Sequence, residues 1–202
     1  IWIGTNDGLW RYNPKTGEKQ SFTTADGLPH NSVTPVRRGL GDTMWVGSYD
    51  GLAQFDGTRI TNVLQGKSRR EQLAVWAMDV DTKGIVWFGG PAQFGRFDGK
   101  EYSWPDQMLA LGKPRVWGMA RSRDGILWLA TENHGLVGYD QRWGIFTVID
   151  NRDGLAGKNG NAIEADSQGQ IWISTRDGGL TRYRRGTPRR WRGSTGWASM
   201  SG

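Results

Sequence analysis

Cysteine is absent from this chain of 202 residues, which excludes disulfide cross-links and thiolate metal sites. Histidine is almost absent: only His30 and His134 are present. Two lone imidazoles without cysteine do not make a zinc site, so no metal and no cofactor is expected. No serine–histidine–aspartate constellation can be argued from their spacing either. No apolar run reaches the length of a membrane span, so membrane contact is not expected of this segment. A secretory leader is also missing, but the chain opens inside a strand-like pattern, so this says nothing about compartment. Helical periodicity is confined to a weak stretch near residues 68–73.

What the chain has instead is 31 glycines and 12 tryptophans, with apolar residues spread evenly. That composition suits a turn-dense all-β domain and argues against disorder. The formal net charge is +6, and Arg182, Arg184, Arg185, Arg189, Arg190 and Arg192 crowd one stretch. Such a cluster can bind phosphates. Arg11, Arg96 and Arg182, however, recur at equivalent places of a repeat, which favours a solvated outer hairpin, and nucleic acid is not an expected partner.

The repeat is the dominant signal. Ile1-Trp2-Ile3-Gly4-Thr5 returns as Met44-Trp45-Val46-Gly47-Ser48, Val86-Trp87-Phe88-Gly89-Gly90, Leu127-Trp128-Leu129-Ala130-Thr131 and Ile171-Trp172-Ile173-Ser174-Thr175. The marker tryptophans are spaced by 43, 42, 41 and 44 residues. Each is followed by a short glycine turn and a second run ending in Tyr12, Phe55, Phe97, Tyr139 or Tyr183. This reads as an antiparallel hairpin. A run before each tryptophan and another after each aromatic bring the unit to four short strands, here termed A to D from the axis outward. Four strands in about 42 residues is the mark of a β-propeller blade. The expected blades are 1–31, 32–73, 74–114, 115–160 and 161–193.

The first blade begins at its strand B. Residues 194–202, with Gly196-Trp197-Ala198, resemble the strand A openings Val75-Trp76-Ala77 and Val116-Trp117-Gly118. Two arrangements stay open: a ring closed by this last strand, which would cover exposed edges, or a slice of a longer propeller, often of seven blades.

The copies "IWIGTNDGLWRYNPKTGEKQSFTTADGLPHNSV" and "GQIWISTRDGGLTRY" resemble the two-component regulator propeller repeat, with its G-x-I-W-I-G-T-x-x-G-L-x-R-Y core and D-G-L-P-x-N-x-V connector. Here the connector is Asp26-Gly27-Leu28-Pro29-His30-Asn31-Ser32-Val33, and a degenerate copy starts at Asp153-Gly154-Leu155. Repeat three departs from the pattern, with Gly90-Pro91-Ala92-Gln93 in place of T-x-x-G. The resemblance implies the extracytoplasmic sensor region of a bacterial histidine kinase, on the periplasmic or extracellular side of the membrane. This segment would be non-catalytic, would bind a small molecule or glycan, and would pair with a second propeller or form a homodimer. Alternatives are a protein-interaction scaffold and a propeller lyase or hydrolase.

The five strand-B tryptophans occupy equal positions, so they are expected in the cores between blades, each burial contributing about 2–3 kcal/mol. The recurring turn aspartates (Asp7, Asp50, Asp177, Asp81 and Asp166) are expected to shape backbone, because acid–base work needs one special pair. Function on a repeat scaffold sits where the copies disagree. On the face that carries the B–C turns and the connectors, the candidate ligand-binding residues are Asn31, Arg70, Trp76, Gln93, Arg115, Trp117, Asn133, His134 and Arg176. Aromatic rings beside arginine and amides make a plausible polar pocket for a sugar or an anion. Against this stands the plainer expectation that Trp76 and Trp117 only plug the channel.

Overall fold

The structure is a computed structural model. It describes residues 1–66, 73–91, 93–105, 111–184 and the backbone of 187–190. The segments holding Arg70 and Trp197, the weak helical pattern near residue 70 and the suggested closing strand lie outside these residues.

The chain forms five antiparallel sheets among the described residues. The first holds β1 (Trp2–Thr5), β2 (Gly8–Tyr12) and β3 (Lys19–Phe22). The second holds β4 (Val33–Arg38), β5 (Met44–Ser48), β6 (Gly51–Phe55) and β7 (Ile60–Gln65). The third holds β8 (Ala77–Val80), β9 (Val86–Gly90), β10 (Gln93–Phe97) and β11 (Tyr102–Ser103). The fourth holds β12 (Val116–Arg121), β13 (Leu127–Thr131), β14 (Gly135–Asp140) and β15 (Ile145–Ile149). The fifth holds β16 (Gly160–Ala165), β17 (Ile171–Thr175), β18 (Gly179–Arg184) and β19 (Thr187–Arg190). Strand order within each sheet follows the chain, as in a propeller blade. No described helix is long and apolar enough to cross a membrane.

Successive blades pack face to face, with β4, β8, β12 and β16 neighbouring one another in turn on the inside. Period-two alternation sends one set of residues to each face, so one apolar core fills each gap between neighbouring blades. In every gap the strand-B tryptophan of one blade meets the strand-C aromatic of the next. The ring centroids lie 4.9 Å apart for Trp2–Phe55, 5.8 Å for Trp45–Phe97, 5.3 Å for Trp87–Tyr139 and 4.9 Å for Trp128–Tyr183. The tryptophans thus sit where the repeat predicts.

The A–B turn buttresses them. Six residues before the tryptophan, Asp81, Ser122 and Asp166 accept the indole N–H of Trp87, Trp128 and Trp172 at 3.4, 3.0 and 3.0 Å. Asp81 and Asp166 also accept two backbone N–H groups each. These aspartates therefore serve backbone and core together. Ile3 and Trp10, cross-strand partners on the outer face of the first sheet, are 47% and 39% exposed, whereas their counterparts Val46, Phe88, Leu129 and Ile173 are fully buried.

Candidate functional site

The B–C turns and connectors share one end of the blades because they bond to each other. Tyr49 N donates to Ser32 O, Glu132 N to Arg115 O and Arg176 N to Asn159 O, extending the inner hairpin beyond its strands. The turns themselves are closed by a hydroxyl: Thr5, Ser48, Thr131 and Thr175 donate to the carbonyls of Gly8, Gly51, Gly135 and Gly179. The turn aspartates reach elsewhere. Asp50 accepts from Leu73 N, and Asp177 accepts from Lys158 N, Asn159 N and Asn159 Nδ2, so both clamp the connector. Partial removal from water pushes the Asp177 carboxyl up, but the Asn159 and Lys158 N–H groups outweigh this and hold its pKa below the ordinary value.

The inner strands carry an irregularity at this same end. In blade four, Val116 pairs with Thr131 and Gly118 with Ala130, so Trp117 is the extra residue of a β-bulge. In blade five the same shift makes Asn161 the extra residue, between Gly160 and Ala162. In blade two the shift spans Thr34 and Pro35. Trp76 holds the corresponding place just ahead of β8, with its N–H on Gly89 O. A bulge removes one side chain from the alternation that feeds the inter-blade cores and re-aims it. The residue after it is small or ring-closed in every copy (Pro35, Ala77, Gly118 and Ala162), because inner strands converge there. A Cβ on Gly118 would come within 2.9 Å of Ile163 Cγ2 of the next blade.

Three of these places build a column. Trp76 and Trp117 stack with centroids 4.5 Å apart and planes inclined by 21°. The Arg176 guanidinium carbon lies 4.1 Å from the Trp117 ring centroid. Two groups this close cannot share one face of an indole, so Arg176 and Trp76 sandwich Trp117. Arg176 Nε donates to Asn161 Oδ1 at 3.2 Å. Both indoles are half-buried and Arg176 is exposed. The column joins blades three, four and five, and it gathers cation, aromatic rings and amide at the end of the inner strands that carries the B–C turns.

The other sequence candidates are placed differently. Arg115 pairs with Glu132 at 3.3 Å on the blade-four turn. Asn133, with φ 69°, donates its N–H to Asn159 Oδ1. Register makes Asn133 the counterpart of Asp177 in its turn; His134 Nδ1 lies 3.3 Å from Glu132 O. Gln93 Nε2 donates to Ala74 O at 2.8 Å. This accounts for the departure of repeat three: Gly90 stands where other blades have Thr or Ser, a Cβ there would fall 1.9 Å from Ala74 O, and Gln93 bonds that same carbonyl. Asn31 accepts from Thr24 N and tethers the connector. Gln93 and Asn31 thus spend these groups on backbone. Asn161 and Thr34 were not among the candidates. Aligning the inner strands on Trp76 and Trp117 would have found them. No cluster of three His, Cys, Asp or Glu suited to a metal occurs among the described residues.

No known family model and no curated protein sequence matches this chain. Solved structures do. The extracellular domain of BT4673 from B. thetaiotaomicron, assigned to a one-component or hybrid two-component system, superposes with a TM-score of 0.77 at 24% identity, over 91% of this chain and 26% of that one. The extracellular domain of the hybrid two-component system protein BT3049 from the same organism gives 0.70 at 24% identity, over 90% and 25%. Virginiamycin B lyase from Staphylococcus aureus gives 0.64 at 15% identity, over 93% and 67%. At these identities the likeness establishes the fold. The chain is built of β-propeller blades. It spans about a quarter of the length of the two extracellular domains it resembles.

Proposed function

We propose that the chain is a ligand-sensing, non-catalytic propeller segment of a two-component, histidine-kinase-type receptor, lying on the periplasmic or extracellular side of a bacterial membrane. Its ligand, a small molecule or glycan, is bound at the connector-face mouth. Binding there changes how the propeller packs on a second propeller or a partner copy, and so carries a signal.

The observation that supports this reading most is the Arg176–Trp117–Trp76 column, in which a bulge diverts Trp117 from core packing. A channel plug would need no exposed cation fixed above the ring. The resemblance of the repeat and the likeness to extracellular domains of two-component type add weight. The lyase likeness keeps a catalytic propeller as the second reading. Against it, His30 Nδ1 accepts the Ser32 N–H, and Glu132 and Asp177 at the mouth are engaged by Arg115 and backbone, so neither acid is poised for proton transfer.

The test is a thermal-shift screen of the chain against neutral and acidic mono- and oligosaccharides, run in parallel on Trp117→Ala. A compound that raises the melting temperature of the wild type and not of the variant supports the mouth site. Stabilisation that ignores Trp117 sinks it.

A further inference from the structure

We infer that the group recognised at this mouth is a carboxylate, bound by Arg176 and carried by either a uronic acid or an aromatic acid. This deepens the sensor reading and rests on the mouth being the ligand site.

Arg176 is fixed by three restraints before any ligand arrives. Its backbone N–H is bonded to Asn159 O, its guanidinium carbon lies 4.1 Å from the Trp117 ring centroid, and Nε is bonded to Asn161 Oδ1. Only Nε of the guanidinium has a hydrogen-bond partner among the described residues, so the terminal nitrogens keep their donors. The N–H groups of those terminal nitrogens form a planar fork along one edge of the guanidinium. That edge matches the two oxygens of a carboxylate. Because the side chain is already ordered, binding does not have to immobilise it.

Among the described residues no carboxylate is paired with this cation. The carboxylate next to it in sequence, Asp177, is taken up by two backbone N–H groups and the Asn159 amide. Glu132, on the neighbouring turn, is paired with Arg115. No described carboxylate forms an ion pair with Arg176, and exposed Lys158, whose N–H is bonded to Asp177, adds a further positive charge to the same rim. Both faces of Trp117 are covered by Arg176 and Trp76, so beside the anion position its edge and the half-buried ring of Trp76 offer apolar surface to a bound sugar or arene. A neutral ligand would leave the guanidinium edge unmatched.

The experiment is isothermal titration calorimetry of the folded chain with two matched pairs, glucuronate against glucose and benzoate against benzyl alcohol, at millimolar concentrations. At least one acid is expected to bind at least about tenfold more tightly than its neutral partner, with affinity falling as salt rises. Which acid binds separates the sugar source from the aromatic one. Arg176→Gln is expected to weaken the acid by roughly 10- to 100-fold, and Arg176→Lys to recover part of that loss. Arg176 is exposed, so both variants should melt with the wild type, which makes a loss of binding interpretable. Equal binding of acid and neutral partner overturns the proposal, as does an acid indifferent to Arg176→Gln or no acid binding at all. A neutral compound that binds and is lost in Trp117→Ala would overturn the carboxylate alone and leave the mouth site standing. Binding indifferent to both Trp117 and Arg176 would remove both.

Discussion

Arg176 of blade five stands over the indole of Trp117 of blade four, 4.1 Å from its centroid, and closes a column that begins with Trp76 of blade three. The relationship ties a B–C turn to the inner strands of two preceding blades. It is made by Trp117, which a bulge has taken out of the inter-blade cores, by Trp76 at the corresponding place of blade three and by a turn residue.

Two stacked indoles at this distance couple their electronic transitions. The circular dichroism spectrum of the chain should carry an exciton couplet that vanishes in Trp76→Ala and in Trp117→Ala alike. Each substitution should cost only about 1 kcal/mol or so in chemical denaturation, because both rings are half-buried and the main gain at risk is the aromatic contact. A couplet that survives either substitution would show that the rings are not stacked in solution.

Equivalent positions should respond unequally to the same change. Leu129→Ala lies in the core between blades three and four and should destabilise by about 2–5 kcal/mol. Ile3→Ala, at the equivalent place but 47% exposed, should cost less than about 1 kcal/mol. Urea denaturation of the two variants checks the difference.

Restoring the repeat at its weakest copy should harm it. Gly90→Thr gives blade three the residue that blades one, four and five carry, yet its Cβ would meet Ala74 O. The expected loss is about 1–3 kcal/mol. Gln93→Ala, which strands the Ala74 carbonyl, should lose about 1 kcal/mol. Thermal melting of both against the wild type decides it.

Acid sensitivity should map to the A–B turn. The Trp172 indole N–H, followed by the Gln170 backbone N–H, holds the Asp166 carboxyl below its ordinary value of 3.8. A lowered folded pKa stabilises the fold above the ordinary value, and that gain is lost as the pH falls below 3.8 toward the lowered value. Asp166→Asn should therefore flatten stability against pH in this window and leave its slope near neutrality unchanged. Denaturation midpoints across the acid range, wild type against variant, provide the check.

The inter-blade ion pair Arg121–Asp79, 2.6 Å apart with side chains 19% and 18% exposed, joins strands A of blades three and four. Its coupling in a double-mutant cycle should be about 1–2 kcal/mol. The pair Arg152–Asp150 has the same length, but its arginine side chain is 85% exposed, so Arg152→Ala should stay within about 0.5 kcal/mol.

The repeat made much of this architecture legible. Five copies of apolar-Trp-apolar with a trailing aromatic set the strands, the blade faces and the tryptophan-lined cores, because both periodicities are written locally. The column was legible in part. Trp76, Trp117 and Arg176 stood out as departures from the copies, but their stacking depends on bulges, which the local residue pattern does not announce. Asn161 escaped notice because it matches the asparagine of the connector motif and heads a strand run, so it reads as part of the repeat. Gln93 and Asn31 stood out for a different reason: each replaces or supports a backbone contact particular to its blade, so irregularity there reflects local repair of the chain. The turn aspartates were read as shapers of their own turns. Asp50 and Asp177 instead bond a connector more than fifteen residues away in sequence, a partner that no local pattern reveals.

The bulge at the head of the inner strands of blades two, four and five separates two kinds of inheritance. A substitution at Thr34, Trp76, Trp117 or Asn161 changes what the mouth displays without disturbing the alternation that seals one blade against the next. The scaffold can therefore drift through new mouth chemistries one blade at a time, each exchange costing less folding free energy than one in an inter-blade core. Chains that share these blades can diverge in what they recognise long before they diverge in shape.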